Sequence, residues 1–214
     1  MFGSSKTSMV SPDRALPGRP TPAFALPATN LVLGTALTGP WPGAEVLYVA
    51  AGCFWGVEEM YWQLDGVVGT SVGYMGGYTP NPTYEEVCTG LTGHAEVVQV
   101  GYDPQRVSTL EILRLFWEHH DPTQGNAQGN DIGTQYRSAL YVTTPEQRDE
   151  VERTRDAFQS VLTAAHRGAI TTEIRDAAGL TYFPAEDYHQ QYLHVRPNGY
   201  RCHGATGLRL PPFA

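Results

Sequence analysis

The hydrophobic and polar positions change between two periods along the chain, which predicts strands separated by helices. Residues 45–50 form a short apolar run that predicts a strand, and the apolar residues of 53–64 recur on one helical face. Runs rich in β-branched and aromatic residues predict further strands. These strands are expected over 67–74, 96–102, 138–143 and 171–176.

Two helix starts have specific sequence signals. Ser108 with Glu111, and Thr144 with Gln147, have the spacing of a capping box, and Pro145 stands at the first helical position of the second. A short helix over 84–88 and a last helix over 185–193 are also predicted.

The order of these elements indicates the fold class. The sequence has no internal repeat and no strand–helix alternation with a phosphate-binding glycine fingerprint, which disfavours a doubly wound nucleotide fold. Apolar residues occupy both parities of 96–102, so we expect this strand to be covered on one face and partly on the other. We predict an α+β fold: a two-layer sandwich, with helices packed on a mixed sheet in a ferredoxin-like core, and long irregular N- and C-terminal segments.

Proline and glycine mark the domain boundaries. Residues 1–43 contain clusters such as Pro17–Pro22 and Gly39–Gly43, which interrupt helices and strands, so we predict an irregular N-terminal extension. Trp41 is a candidate anchor for this extension. Residues 44–214 are predicted to form one domain whose C-terminal tail is mobile from about residue 195.

Composition and charge narrow the functional class. The chain has 214 residues, a formal net charge of -8 and a pI near 5.3, so the basic surface that binds nucleic acid is missing. No apolar stretch is long enough for a membrane span and the N-terminus lacks a secretory pattern, so we expect a cytoplasmic monomer. Three cysteines are too few for a disulfide scaffold and favour reduced thiols.

Cys53 is the first candidate for chemistry. It lies at the predicted start of a helix, where unpaired N–H groups and the helix dipole favour a thiolate. Phe54 and Trp55 follow at once and are suited to hold a methyl group next to a polarised atom. The alternative is a core cysteine between two packing aromatic residues.

Four more segments occur with this cysteine, in a fixed order and spacing. Together the five resemble the peptide methionine sulfoxide reductase A family, from about residue 48 to residue 210. The segments are Gly52-Cys53-Phe54-Trp55-Gly56, Gly73-Tyr74-Met75-Gly76-Gly77, Asn81-Pro82-Thr83-Tyr84, Gly93-His94-Ala95-Glu96 and residues 129–138, from Gly129 to Ser138.

The resemblance implies thiol-dependent reduction of methionine S-sulfoxide, free and in proteins, and therefore repair of oxidised proteins, with no cofactor and no metal. It implies that Cys53 attacks the sulfoxide sulfur and that Glu96, whose carboxyl would keep its proton in an apolar pocket, protonates the oxygen. The remaining implied roles are hydrogen bonds to the oxygen from Tyr84 and Tyr136, organisation of the site by Asp131, resolution of the Cys53 sulfenic acid by Cys202, and reduction of that disulfide by thioredoxin.

The C-terminal motif departs from the fullest family pattern. Many members place cysteine directly after Gly-Tyr and add a second one a few residues later, whereas this chain has Arg201 before Cys202 and no later cysteine. This favours a single Cys53–Cys202 disulfide. Cys88 lies on an apolar helical face and is interpreted as a packing residue.

Three other functions match parts of the sequence less well. Structural zinc is disfavoured because the histidines and cysteines, including His189, His194, Cys202 and His203, lack paired ligand spacing. A cysteine hydrolase would pair Cys53 with His94 or His189, but would need neither the two aromatic residues nor Cys202. A non-enzymatic module would bind oxidised methionine without turnover.

Overall fold

The computed structural model describes residues 6–202 and 204–213. Strands and helices are numbered in chain order. They are β1 (Glu45–Ala51), α1 (Phe54–Trp62), β2 (Val67–Met75), α2 (Tyr84–Cys88), β3 (Ala95–Tyr102), α3 (Thr109–His119), β4 (Ala127–Gln128), β5 (Asp131–Ile132), β6 (Ser138–Val142), α4 (Pro145–Ala164), β7 (Glu173–Asp176), β8 (Phe183–Pro184) and α5 (Tyr192–Val195).

Six strands form one mixed sheet in the order β7-β6-β1-β3-β2-β8, and β4 pairs with β5 in a separate ribbon. β6 and β7 are parallel, and the other neighbours are antiparallel. The four central strands and the helices α1 and α3 give the order β-α-β-β-α-β of a ferredoxin-like core. The predicted α+β class with helices packed on a mixed sheet is therefore confirmed.

The two faces of the sheet are covered in different ways. The main core contains side chains of α1, α3 and α4 against one face, with Phe116, Trp117 and Phe158 fully buried. The other face is covered largely by irregular segments, among them Trp41 and Tyr182. As a result, all eight residues of β3 are buried. We expected the second face of this strand to be only partly covered, but it is covered completely.

Both predicted helix caps are present. The Ser108 side chain accepts a bond from the Glu111 N–H and Glu111 bonds back to Ser108, which completes a capping box at α3. The Thr144 side chain accepts from the Gln147 N–H at the start of α4. The Gln147 side chain instead receives the N–H of Thr143, so this second cap is not a closed box.

The prediction of one helix over 185–193 is wrong. Residues 187–189 form a single 3₁₀ turn, and α5 begins only at Tyr192. Gln191 between them has φ of +47°, because the buried carboxylate of Glu58 accepts both its main-chain N–H and its side-chain amide. Long-range bonds therefore override the local helical pattern.

Residues 6–43 are largely irregular and pack along the domain. Asn30 is buried and donates to the main-chain oxygen of Thr70 in β2 at 2.9 Å. Arg19 forms two bonds with Glu86 of α2. Within the described part of the chain, no helix is both long and apolar enough to span a bilayer.

Candidate active site

Cys53 lies at the junction between β1 and α1. Gly52 has φ of +94°, and Cys53 caps the N-terminus of α1. A Cβ on Gly52 would come within 2.6 Å of the Gln128 side chain, so this turn requires glycine. The prediction that Cys53 stands at a helix start is confirmed, and its side chain is buried.

The surroundings of Cys53 favour a neutral thiol, in contrast to the predicted thiolate. Burial raises the pKa of the Cys53 thiol well above its ordinary range, and negative charge on Glu96 acts in the same direction. The main-chain N–H of Trp55 lowers the pKa, as expected at a helix N-terminus, but its effect is smaller than that of burial. The thiol of the free protein is therefore neutral at pH 7.

Glu96 brings a buried carboxyl group to the start of α1. It lies on β3 opposite Tyr74 of β2, and only 2% of its surface is exposed. Its Oε2 accepts the main-chain N–H of Phe54 at 3.1 Å. Burial raises the pKa of Glu96 to about 8, against the opposing effect of this hydrogen bond. Glu96 is therefore mostly protonated at pH 7 and can donate a proton.

Two phenols lie close to this carboxyl group. Tyr84 is the first residue of α2 and Tyr136 ends a 3₁₀ turn, and both are half-buried. Burial raises the pKa of both, and the charge of Glu96 adds to the effect. The main-chain N–H of Tyr84 donates to Glu186 at 2.8 Å, which fixes the start of α2. Both phenols remain protonated hydrogen-bond donors at neutral pH.

Asp131 lies at the edge of the same group. It is the first residue of β5, and its charge contributes to the raised pKa of Cys53, Glu96 and Tyr136. The Tyr200 hydroxyl lies 3.2 Å from both carboxylate oxygens of Asp131. Asp131 thus connects the site to the C-terminal segment.

Phe54 and Trp55 form part of an aromatic wall. Phe54 is buried, with its ring 5.2 Å from the His189 ring. Trp55 is half-buried and stacks on Tyr192 at 3.9 Å, with an interplanar angle of 18°. The Trp55 indole N–H donates to Nδ1 of His189 at 3.1 Å. Trp55 is therefore the more accessible of the two predicted substrate contacts.

Cys202 lines a cavity with Cys53. The cavity has a volume of about 380 Å³. Cys202 is a half-buried free thiol that donates to the Gln128 main-chain oxygen at 3.3 Å. Burial, together with the charge of Asp131, raises the pKa of the Cys202 thiol to about 11. The two cysteines thus face one space without being bonded.

The histidines that a hydrolase would use already accept hydrogen bonds from other groups. His94 bonds to Gly77 N–H through Nδ1 and lies 2.8 Å from the Thr79 oxygen through Nε2. His189 accepts from Trp55, and burial lowers the pKa of both imidazoles to about 4. In each imidazole the acceptor nitrogen Nδ1 already receives an N–H group, and a pKa of about 4 makes the ring a weak base, so neither residue is suited to take the proton of Cys53.

The zinc alternative involved residues of the C-terminal segment. His203, one member of the cluster, lies outside the described residues. Across residues 6–202 and 204–213, no group of three or more His, Cys, Asp or Glu side chains has an arrangement that could hold a metal ion.

Sequence reasoning missed several residues of the site. Gln135 donates to Cys88 Sγ at 3.4 Å and lowers the pKa of Glu96, so Cys88 borders the site in addition to packing. Gln135 lies inside the 129–138 motif, which was its only sequence signal. His189 and Tyr192 were assigned to a continuous helix, and this concealed that both face Trp55.

A thiol at a helix start, a buried carboxyl group with a raised pKa and two phenols thus meet on the sheet of an α+β domain, an arrangement suited to acid-assisted thiol chemistry. The family model for peptide methionine sulfoxide reductase matches residues 45–210. The chain belongs to this family, and it is a peptide methionine sulfoxide reductase of the A type, an oxidoreductase.

Similar proteins support the assignment over nearly the whole chain. The curated MsrA of Vibrio cholerae is 55% identical over 98% of both chains, and that of Rhodospirillum centenum is 56% identical over 99% of this chain and 95% of its own. The structure of methionine sulfoxide reductase A of Corynebacterium diphtheriae matches with a TM-score of 0.83 and 46% identity, covering 96% of this chain and 100% of that one. Reduced Mxr1 of Saccharomyces cerevisiae matches with a TM-score of 0.68 and 34% identity, covering 79% and 96%.

Proposed function

We propose that the protein reduces the S epimer of methionine sulfoxide, free and in proteins, by a sulfenic acid and disulfide route. Cys53 is the nucleophile, Glu96 the proton donor, and Tyr84 and Tyr136 the hydrogen-bond donors to the sulfoxide oxygen. Asp131 holds the surrounding groups in place.

In the first step, Glu96 gives its proton to the sulfoxide oxygen while both phenols stabilise the charge that moves there. The Cys53 sulfur takes over the oxygen as a hydroxyl group, and its thiol proton goes to the Glu96 carboxylate. One S–O bond breaks and another forms, so the substrate sulfur gains two electrons and the Cys53 sulfur loses two. The products are methionine and a Cys53 sulfenic acid.

In the second step, the Cys202 sulfur attacks the sulfenic acid and water leaves, with formation of a Cys53–Cys202 disulfide. A dithiol protein of the thioredoxin type then reduces this disulfide, so that both sulfurs return to thiols and the dithiol protein becomes a disulfide itself. The cavity that Cys53 and Cys202 share supports this pairing.

The observation that carries the proposal is the buried Glu96 carboxyl group beside Cys53. A sulfoxide is a poor electrophile until its oxygen is protonated, and a pKa of about 8 keeps the required proton on Glu96 at neutral pH. Phe54 and Trp55 supply the apolar contact for the methyl group.

The test is a single turnover with pre-reduced protein and each epimer separately, without added reductant. The parent should form about one methionine per chain from the S epimer, with loss of the Cys53 and Cys202 thiols. Cys53→Ser should form none, and Cys202→Ser should form methionine once but leave a sulfenic acid that dimedone labels. Cys88→Ser is the control for thiol counting: this variant should still lose two thiols, those of Cys53 and Cys202. Equal activity of Cys53→Ser would refute the proposal.

A further inference from the structure

The segment that carries Cys202 is attached by side-chain bonds to three different parts of the domain. Tyr200 contacts Asp131, and Cys202 donates to the Gln128 oxygen. Between them Arg201 reaches Glu59 of α1. Because residues 197–202 lie outside helices and strands, these bonds determine where the Cys202 thiol is held.

The Arg201–Glu59 pair is the strongest of these attachments. Nε of Arg201 donates to Oε2 at 2.6 Å and Nη2 donates to Oε1 at 2.7 Å, which is the parallel two-bond geometry of a guanidinium with a carboxylate. Nη1 also donates to the Pro197 oxygen at 2.8 Å. The same side chain therefore fixes both the shape of the 197–201 turn and its position on α1.

Glu59 belongs to the helix that Cys53 caps. Glu59, Arg201, Cys53 and Cys202 all line the same cavity. The ion pair thus joins the residue next to Cys202 to the element that begins at Cys53. A disulfide forms only when the two Cα atoms come within about 4.4 to 6.8 Å, so restricting the position of this segment favours closure.

We infer that Arg201 is a positioning residue for the second step, holding Cys202 against α1 through Glu59 so that it meets the Cys53 sulfenic acid. Arg201 stands directly after Gly-Tyr, next to the only cysteine of the C-terminal segment. The inference rests on the proposed function, and specifically on Cys202 as the resolving thiol.

The experiment separates the two steps in Arg201→Gln, Glu59→Gln and the double exchange Arg201→Glu with Glu59→Arg. Pre-reduced protein is mixed with S-methionine sulfoxide, and methionine formation and disulfide formation are followed by rapid quenching, with dimedone trapping the sulfenic acid. Arg155→Gln, which removes an exposed pair with Asp156 on α4, is the matched control. Thermal melting checks that every variant is folded.

Both single variants should form methionine at the parent rate, form the disulfide about two- to fivefold more slowly, and show more dimedone labelling. The double exchange should recover part of the lost rate, and Arg155→Gln should match the parent in both steps. Unchanged disulfide formation in both single variants, or equal slowing in Arg155→Gln, would overturn the inference. A parent that forms no methionine would instead refute the proposed function, and a parent that forms methionine but keeps its Cys202 thiol would refute Cys202 as resolver.

Discussion

Two opposing effects determine the pKa of Glu96, and this pKa sets the pH range in which its carboxyl group is protonated. Burial raises its pKa to about 8 and outweighs the Phe54 N–H bond, which favours the charged form. A carboxyl group with a raised pKa is protonated below that value and loses its proton above it. The donor form of Glu96 is therefore abundant at pH 7 and scarce at pH 9.

We expect the single-turnover rate of methionine formation to fall as the pH rises through about 8. Glu96→Gln should lower the rate by about 10²- to 10⁴-fold and remove the descending limb of the profile. Quenched-flow measurements between pH 6 and 10 test this. Glu111→Gln, on an exposed capping box of α3, should keep the parent profile. A parent rate that rises through pH 8 would show that thiol ionisation, and not the proton on Glu96, limits the step.

Glu58 is a second buried carboxyl group, with a different expected effect. It is fully buried and accepts from the Thr70 hydroxyl at 3.0 Å and from two N–H groups of Gln191. Burial raises the pKa of Glu58 to about 7, while these bonds oppose the shift. At Glu58 the folded protein then binds more protons than the unfolded chain between about pH 4.5 and 7, so the contribution of this group to stability should fall as the pH rises through this window and level off above it. Glu96 acts in the same direction up to about pH 8, while the buried histidines, whose pKa values are lowered to about 4, act in the opposite direction.

Urea unfolding of the parent and of Glu58→Gln at pH 5, 6, 7 and 8 measures the Glu58 contribution as the difference between the two proteins, about 2 to 4 kcal/mol over the window. Glu58→Gln should lose this fall in stability between pH 5 and 7 and keep the pH dependence of the other groups. Glu58→Gln should also lower the free energy of unfolding by about 1 to 3 kcal/mol, because the new amide N–H group would face a donor of Gln191. The same pH slope in the variant and the parent would assign the effect to other groups.

At the scale of single residues, motifs in the sequence predict Cys53, Glu96, Tyr84, Tyr136 and Asp131 as site residues, and the structure brings these residues together. The pKa of Cys53 was predicted in the wrong direction because the helix start is a local feature, whereas burial and the Glu96 charge come from β3, far away in the chain. The contacts of Trp55 with His189 and Tyr192 depend on a turn that Glu58 fixes from a distance.

At the scale of elements, the bounds of strands and helices with clear sequence signals could be predicted to within a few residues. β2 and the starts of α3 and α4 are examples, since the β-branched and aromatic residues of the strand and the caps of the helices are local signals. The short strands β4, β5 and β8 could not be predicted, because two residues carry no period. The strand order in the sheet could not be predicted from local patterns either, because it depends on which strands meet after the chain folds.

The turn that leads into α2 is held by the N-terminal segment. Arg19 donates to both carboxylate oxygens of Glu86 at 2.9 and 2.7 Å and to the Asn81 oxygen at 2.7 Å. Glu86 also completes the capping box with Thr83. Since Tyr84 is the first residue of this helix, the pair contributes to the position of a proposed catalytic phenol.

Arg19→Gln should raise KM for methionine sulfoxide about two- to fivefold and lower the free energy of unfolding by at most about 1 kcal/mol, as the pair is partly exposed. Steady-state kinetics and urea unfolding give the two values. Arg106→Gln, which removes an exposed pair with Asp65, is the control and should leave KM unchanged. Equal KM values for the two variants would mean that the Arg19 pair has no part in positioning Tyr84.

For the whole molecule, residues 6–43 contact the sheet as well as the loops of the site. Trp41 is buried against Gly69 of β2 and Gly101 of β3, where a Cβ on either glycine would overlap its ring. The main-chain oxygen of Lys6 accepts the Thr134 N–H at 2.7 Å, close to Tyr136. The segment therefore contributes both to stability and to the position of the residues around the site.

The family model begins to match only at residue 45, and yeast Mxr1 covers 79% of this chain, so we expect residues 44–214 to fold without the N-terminal segment. The deletion should lower the melting temperature, because the sheet face under Trp41 loses its cover. It should raise KM, because the turn at Thr134 and the turn that leads into α2 lose the contacts of Lys6 and Arg19. Trp41→Ala in the full chain should reproduce the loss of stability, about 3 to 5 kcal/mol, but little of the change in KM, since the glycines that Trp41 packs on in the sheet belong to β2 and β3. Circular dichroism melting and steady-state kinetics compare the three proteins. If the deletion kept the parent KM, the contacts of Lys6 and Arg19 would contribute to stability and not to substrate binding. If Trp41→Ala raised KM as much as the deletion does, the change in KM would come from the sheet and not from those contacts.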